Sequence, residues 1–271
     1  MCLAAIALQQ SERFPFVLAS NRDEFFHRDA APLAWWTAGG AELLGGRDLS
    51  AGGTWLALNR AGRLAFVTNV REPGRVLTGA PSRGELVPRW LAGGADALFD
   101  EMAAVPRNGF NFITAELSGA AGRWFSNRPQ PQQRVLGRGV HGVSNAALDT
   151  PWPKLVALRQ QLSDALAGTS GLATLREHLF DALSQRRPAP DAELPATGIA
   201  LERERQLSSA FIRIEGEAGV YGTRCSTLVI VEATRSGSHR VHMVERRFDE
   251  SGAIGGETAL AFDRVSAAAA G

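Results

Sequence analysis

Short apolar runs separated by turn residues dominate the segment 1–70 and predict strands. Cys2–Leu8 is a small apolar run, and 16–20 is a second one after Pro15. Gly39-Gly40, Gly45-Gly46 and Gly52-Gly53 punctuate three further segments, of which 54–58 and 64–69 read most clearly as strands joined by a hairpin turn at 59–62. Periodicity then changes. Pro81-Ser82 opens a helical stretch with Leu86, Val87, Trp90 and Leu91 on one face, closed by Gly93-Gly94. Strands return at 110–116 and 123–126, followed by a Pro/Gln-rich loop over 128–133. From Pro151, leucines at 155, 158, 162 and 166 recur at periods of three and four, and the helical pattern resumes after Gly168 as far as Leu183. The Pro/Ala-rich segment 186–198 reads as a mobile loop, with a linker between domains as the alternative. Strands at 210–214, 227–232 and 240–246 are too few for a domain of their own, so they are expected to return to the first sheet. One domain over 1–262 and a frayed tail over 263–271 follow.

Composition narrows the class of protein. Lys+Arg 29 against Asp+Glu 28 leaves a formal net charge of +1, and no basic block offers a footprint for nucleic acid. No apolar run approaches the ~18 residues that span a bilayer. The first residues lack the basic region of an export signal, so a cytoplasmic protein is expected, one that acts on a small molecule and is free to form a homodimer. The two cysteines, Cys2 and Cys225, make no disulfide framework, and reduced thiols are the default.

Candidate chemistry begins at Cys2. Initiator Met is normally removed when the next side chain is small, which leaves a cysteine carrying a thiol and a free α-amino group. With reference pKa values of ~8.5 and ~7.7–8.0, both groups are poised near neutrality, and the amine can act as base for the thiol. The bland alternative is a small residue buried at the start of a strand. Asn21-Arg22-Asp23-Glu24 follows the run 16–20 as four polar groups at a strand end. Beside Cys2, Arg22 would lower the thiol pKa and Asp23 could hold the α-ammonium; a solvated turn with an internal ion pair is the rival reading. Thr68-Asn69 and Ser144-Asn145 also end strand-like runs, where amide side chains could donate to an oxyanion or merely shape a turn. The segment 221–227 places Arg224 at the start of another strand. Trp35-Trp36 and Trp55 flank glycine-rich turns and could line an apolar groove, although partly buried tryptophan is ordinary core material.

Asn21 to Glu24, Gly45-Gly46-Arg47-Asp48, Gly52-Gly53-Thr54-Trp55, Thr68-Asn69, Ser82-Arg83-Gly84-Glu85, Gly109-Phe110-Asn111, Gly142-Val143-Ser144-Asn145 and Tyr221-Gly222-Thr223-Arg224 occur in that order along most of the chain. In this set the chain resembles the NRDE-motif family, that of transport and Golgi organisation protein 2. The family is similar to N-terminal-nucleophile hydrolases, including choloylglycine hydrolases and cysteine penicillin acylases. The resemblance implies an α+β fold, a four-layer αββα sandwich with two mainly antiparallel sheets between helices. It also implies Cys2 as nucleophile, Arg22 and Asp23 as its support, Asn69 and Asn145 as oxyanion donors, and Arg224 or else Arg213 as a second cation. The eukaryotic members' link to haem trafficking and lipid metabolism implies a second reading, a non-catalytic carrier of haem or lipid in the same pocket.

Other signals carry less. Residues 137–142 match G-x-G-x-x-G but lack a βαβ setting and read as a loop. Residues 142–146 miss the last glycine of a serine elbow. His239 and His242 fall on opposite faces of a predicted strand, and no metal site is legible. The expectation is therefore a cysteine hydrolase that cleaves the C–N bond of an amide with a small apolar acyl group, lined by Trp35 and Trp55, without a resident cofactor.

Overall fold

The computed structural model describes residues 2–119, 121–168, 171–234 and 238–264, with Cys2 described by its backbone alone. Strands β1 (Cys2–Leu8), β2 (Phe16–Phe25), β3 (Ala30–Ala38), β4 (Ala41–Asp48), β5 (Leu56–Asn59) and β6 (Arg63–Asn69) precede helices α1 (Leu86–Leu91) and α2 (Asp96–Ala104). Then come β7 (Phe110–Glu116), β8 (Gly122–Ser126), β9 (Gln132–Leu136) and β10 (Gly139–Val143). Helices α3 (Pro153–Gly168), α4 (Leu172–Leu183) and α5 (Leu201–Gln206) lead to β11 (Arg213–Ile214), β12 (Tyr221–Ala233), β13 (His239–Phe248) and β14 (Ile254–Arg264).

One antiparallel sheet has the order β10-β1-β2-β12-β13-β14, with β11 paired to β12; the other runs β3 through β9 in sequence order. The late strands do return to the first sheet, and β12 lies directly against β2. The unbroken apolar runs of β1 and β2 follow from their position, because both faces are covered. Leu18, Ile6 and Phe16 point into a core between the sheets with Leu56, Leu58 and Phe66. Val17, Ala19, Leu3 and Ala5 point the other way, onto Leu155, Leu158, Leu162, Leu175 and Leu179 of α3 and α4. A third core joins Leu86, Val87, Leu91 and Phe99 of α1 and α2 to Phe110 and Phe112 of the second sheet. The layers are therefore helix, sheet, sheet, helix, as expected. Among the described residues no helix is long and apolar enough to cross a membrane.

Several boundaries differ from expectation. β2 does not stop at Ser20 but runs through Asn21, Arg22 and Asp23 to Phe25, because β12 pairs with it from Phe16 to Phe25, with a register shift between Thr223 and Cys225, and β1 pairs with its other edge as far as Arg22. The 137–142 segment is not merely a loop: Gly139–Val143 forms an edge strand on β1. The 210–214 strand shrinks to Arg213–Ile214. The segment 186–198 contains a single 3-10 turn at Asp191–Glu193, held by an Arg205–Asp191 pair at 2.7 Å. Asp263 and Arg264 belong to β14, and the rest of the expected tail lies outside the described residues.

Candidate functional site

The alternation of β2 sorts its polar residues onto two faces. Ser20 and Arg22 share the side of Leu18, toward the second sheet, whereas Asn21 and Asp23 share the side of Ala19, toward the helices. Asn21, fully buried, donates through Nδ2 to the Leu183 carbonyl at 2.8 Å and to the Ala210 carbonyl at 2.9 Å, while its Oδ1 accepts from Ser226 at 2.5 Å. It ties the end of α4 to the sheet. Asp23, also buried, accepts from the Thr223 hydroxyl at 2.7 Å, and the Tyr221 phenol donates to its backbone carbonyl at 3.2 Å. Burial pushes the Asp23 carboxyl up from its ordinary range, against the positive charges of Lys154 and the amino terminus.

Arg22 lies on the wall of a cavity of about 140 Å³ between the sheets, lined also by Asp23, Glu24, Arg28, Asp48, Thr54, Trp55, Val67, Asn69, Ser82, Arg83 and the glycines 52, 53 and 84. The Arg22 guanidinium sits 4.3 Å from the Trp55 ring centroid and 3.8 Å from Asp48. Asp48 is held at 2.9 Å by Arg28 and accepts the Ser50 and Ala51 N–H groups, each at 3.0 Å. Burial alone would raise its carboxyl; the Ala51 N–H and the Arg28 and Arg22 charges outweigh that and hold it below its ordinary range.

Two glycines make this packing possible. A Cβ at Gly46 would lie 2.4 Å from the Trp55 ring, so only glycine lets the indole reach Arg22. At Gly53, φ is +146° and a Cβ would lie 2.6 Å from the Gly84 carbonyl, where the loop after Asp48 meets the loop that carries Ser82 and Arg83.

The β1–β2 register sets the backbone of Cys2 opposite Arg22, which brings the start of the chain to this wall. Arg22 is in turn opposite Cys225 of β12. The two cysteines are thus two strand spacings apart, about 10 Å, beyond the ~7 Å that a disulfide tolerates. Cys225 is a buried thiol that bonds to the Glu245 carboxyl.

The remaining expected site residues divide. Asn69 and Trp55 line the cavity with Arg22 and Asp23. Asn145 stands behind it: its Nδ2 donates to the Asn69 carbonyl at 2.9 Å and its own carbonyl accepts the Arg71 N–H at 2.8 Å, so it fixes the strand end that carries Asn69. Arg224 donates to the carbonyls of Phe25 at 2.8 Å, Phe26 at 3.1 Å and Arg28 at 2.9 Å, pinning the turn after β2. Arg213 pairs with Glu215 at the surface. Trp35 packs 5.5 Å from the Phe262 ring under the Arg60 guanidinium, away from the cavity. The foreseen apolar groove is therefore reduced to Trp55, Val67 and Ala51 in an otherwise polar wall.

Sequence reasoning assigned no role to Asp48, Arg28, Arg83 or Lys154. Asp48 and Arg83 sit inside the quoted glycine-rich segments, and only their convergence in space gives them a place. Arg83 donates to the Gly109 carbonyl at 3.1 Å and so joins two of those segments.

Known proteins match this chain in sequence and in fold. Residues 1–250 match the Transport and Golgi organisation 2 family. The chain belongs to that family. A curated member, the Transport and Golgi organization protein 2 homolog of Bos taurus, is 36% identical over 233 residues, 81% of this chain and 83% of the relative. Among solved structures, a variant of the conjugated bile acid hydrolase from Clostridium perfringens superposes with a TM-score of 0.51 at 8% identity, covering 96% of this chain and 92% of that one. The N-acylethanolamine-hydrolyzing acid amidase ortholog of Caenorhabditis elegans reaches 0.49 at 10% identity, covering 84% and 92%. The fold of this Transport and Golgi organisation 2 family member is that of N-terminal-nucleophile hydrolases. Within that fold, the family's Asn-Arg-Asp-Glu run supplies both a structural tie (Asn21) and a charged cavity wall (Arg22 and Glu24).

Proposed function

We propose that the chain is a cysteine N-terminal-nucleophile amidohydrolase that cleaves the C–N bond of a small linear amide. The register that sets Cys2 opposite Arg22, on the wall of a cavity also lined by Asn69, carries the reading. Removal of Met1 leaves Cys2 with a free α-amine. That amine takes the thiol proton as sulfur attacks the amide carbonyl carbon, and the new S–C bond places a negative charge on oxygen. Asn69 donates to that oxyanion, and Asn145 keeps the Asn69 strand end in register. Collapse breaks the C–N bond, and the leaving amine takes the proton from the α-ammonium. Water then adds to the thioester and releases the acid and the free thiol. Arg22 favours the thiolate, and Asp23 holds the ammonium. Thiol chemistry of this kind suits the reducing cytoplasm.

The cavity limits the acyl group. At about 140 Å³ it is a small cleft, suited to a short acyl group. Its walls favour a short acyl group with a polar end over the apolar one expected from the sequence. A haem carrier reading finds little support here: the volume is far below the ~300–1,000 Å³ of pockets that enclose drug-sized ligands. Among its described lining residues none is His, Met or Tyr, the usual axial ligands besides cysteine.

A panel of short-chain amides with a chromogenic amine tests the proposal. Amine release is expected from the mature protein, abolished in Cys2→Ala and reduced about 10²–10³-fold in Asn69→Ala. Release that persists in Cys2→Ala, or its absence across the panel from a chain confirmed to begin at Cys2, contradicts it.

A further inference from the structure

Two of the glycine-rich segments singled out in the sequence, Gly45-Gly46-Arg47-Asp48 and Gly52-Gly53-Thr54-Trp55, take no step in the proposed chemistry. In the fold they bracket one turn. The Asp48 N–H donates to the Gly53 carbonyl at 2.9 Å, the Gly52 N–H donates to the Asp48 carbonyl at 3.1 Å, and the Asp48 carboxylate accepts the Ser50 and Ala51 N–H groups at 3.0 Å. Beyond it, the Thr54 hydroxyl donates to the Leu56 carbonyl at 3.0 Å and the Trp55 carbonyl accepts the Val67 N–H at 2.9 Å. Asp48 and Trp55 therefore stand on a turn that is fixed at both ends.

Both side chains close on Arg22, which is 5% exposed: its guanidinium carbon lies 4.3 Å from the Trp55 ring centroid and its Nη2 3.8 Å from the Asp48 carboxylate. Among the described residues no hydrogen bond holds the Arg22 side chain, so the indole face and this ion pair set its direction. A planar, weakly hydrated guanidinium on a long side chain is suited to such a face. Space for the ring is made at Gly46, where a Cβ would lie 2.4 Å from it. Arginine–tryptophan stacks recur in this chain, as with Arg60 on Trp35 at 4.0 Å, but Arg60 is exposed and also bonds to Glu42. Arg22 is buried beside the cavity, at the strand position that pairs with Cys2. Charge also reaches it from Glu245 of β13, from Arg224 of β12, and from Asp23, Glu24, Arg28 and Arg83 on the cavity wall, while the Cys225 thiol lies on the strand opposite. Among the described residues only Asp48 forms an ion pair with it.

We propose that Trp55 is a positioning residue for the cysteine site: with Asp48 closing a second side, its indole clamps the Arg22 guanidinium at the strand position paired with Cys2. The two glycine-rich segments then share one task. Gly46 clears the space of the ring, and the turn 48–53 aims Asp48 and Trp55 at a single arginine. The proposal rests on the nucleophile reading for its purpose, whereas the stack itself stands or falls independently of turnover. Trp55 acts through Arg22 and needs no contact with the reacting atoms.

A double-mutant cycle on the full protein tests this, read as the pH dependence of Cys2 alkylation by iodoacetamide with Cys2→Ala as the blank. In Arg22→Met the acid limb is expected to move up by about one pH unit or more, the usual effect of removing a close opposite charge. Trp55→Leu is expected to move it in the same direction, and Trp55→Phe, which keeps an aromatic face, to stay nearer the wild type. The double variant Arg22→Met/Trp55→Leu is expected to match Arg22→Met alone, because the indole acts only through the arginine. A wild-type limb in Trp55→Leu, or shifts that add in the double variant, overturns the proposal. A limb unmoved in Arg22→Met overturns it together with the role given to Arg22 in the nucleophile reading. The stack is also read without any tryptophan variant, which decides the matter even where Trp55→Leu fails to fold. In ¹⁵N-arginine-labelled protein the Arg22 Nε–H signal, assigned by its loss in Arg22→Lys, is expected upfield of the ordinary arginine range under the ring current of Trp55; a signal inside that range overturns the clamp. Absence of amide turnover beside a non-additive cycle would sink the hydrolase reading and leave the clamp intact.

Discussion

Asn21→Ala separates the structural from the chemical half of the polar run in β2. Asn21 is fully buried and makes three hydrogen bonds, two to carbonyls at the end of α4 and before β11, and one from Ser226. Truncation leaves two buried carbonyls and a hydroxyl without that partner, at about 1–1.5 kcal/mol each, so a total loss of about 3–4 kcal/mol is expected. Ser226→Ala removes one of the three and should cost about 1 kcal/mol. For a chain of this size the larger loss corresponds to a fall in Tm of roughly 6–15 °C. Equilibrium urea unfolding followed by tryptophan fluorescence measures both variants. Under native conditions Cys2 alkylation should proceed at the wild-type rate in Asn21→Ala, because Asn21 faces the helices. A stability loss below about 1 kcal/mol, or a folded variant with slowed alkylation, refutes the assignment.

Other substitutions probe neighbouring parts of the account. Gly46→Ala pushes a Cβ into the Trp55 ring and should cost about 1–3 kcal/mol, whereas Gly137→Ala, with open space around it, should be neutral in the same melts. Arg71→Met leaves the Glu204 carboxylate buried with only its Thr197 bonds, at 2.9 and 2.5 Å, and should cost about 3–5 kcal/mol by urea titration. His141 is held by a hydrogen bond to Asp149 that raises its pKa above the ordinary 6.5. A raised folded-state value stabilises the fold below the unfolded pKa, and that contribution is lost as pH rises through the folded value. The stability gap between wild type and His141→Gln should therefore be widest near about pH 5.5 and shrink above about pH 7; a gap that widens with pH contradicts it.

Much of the architecture was legible because β1 and the first half of β2 are unbroken apolar runs and the leucine-rich helices carry a periodic apolar pattern long enough to read. Edges were less visible. β14 alternates half-exposed with exposed positions, and β10 is glycine-rich, so neither shows the apolar signature of a buried strand. The polar run 21–24 concealed a strand because its backbone is satisfied by β12, a partner about two hundred residues away. The same distance concealed the division of roles in the site. Nothing local shows that Asn145 bonds to the backbone of Asn69, or that Arg224 serves three carbonyls.

The most direct test of the nucleophile reading is mass spectrometry of the N-terminal peptide after exposure of the purified protein to an acylating amide or penicillin, with Cys2→Ala alongside. The account predicts a peptide that begins at Cys2 and gains one acyl group at that residue, with no uptake in Cys2→Ala. A peptide that retains Met1, or acylation indifferent to the loss of Cys2, contradicts it.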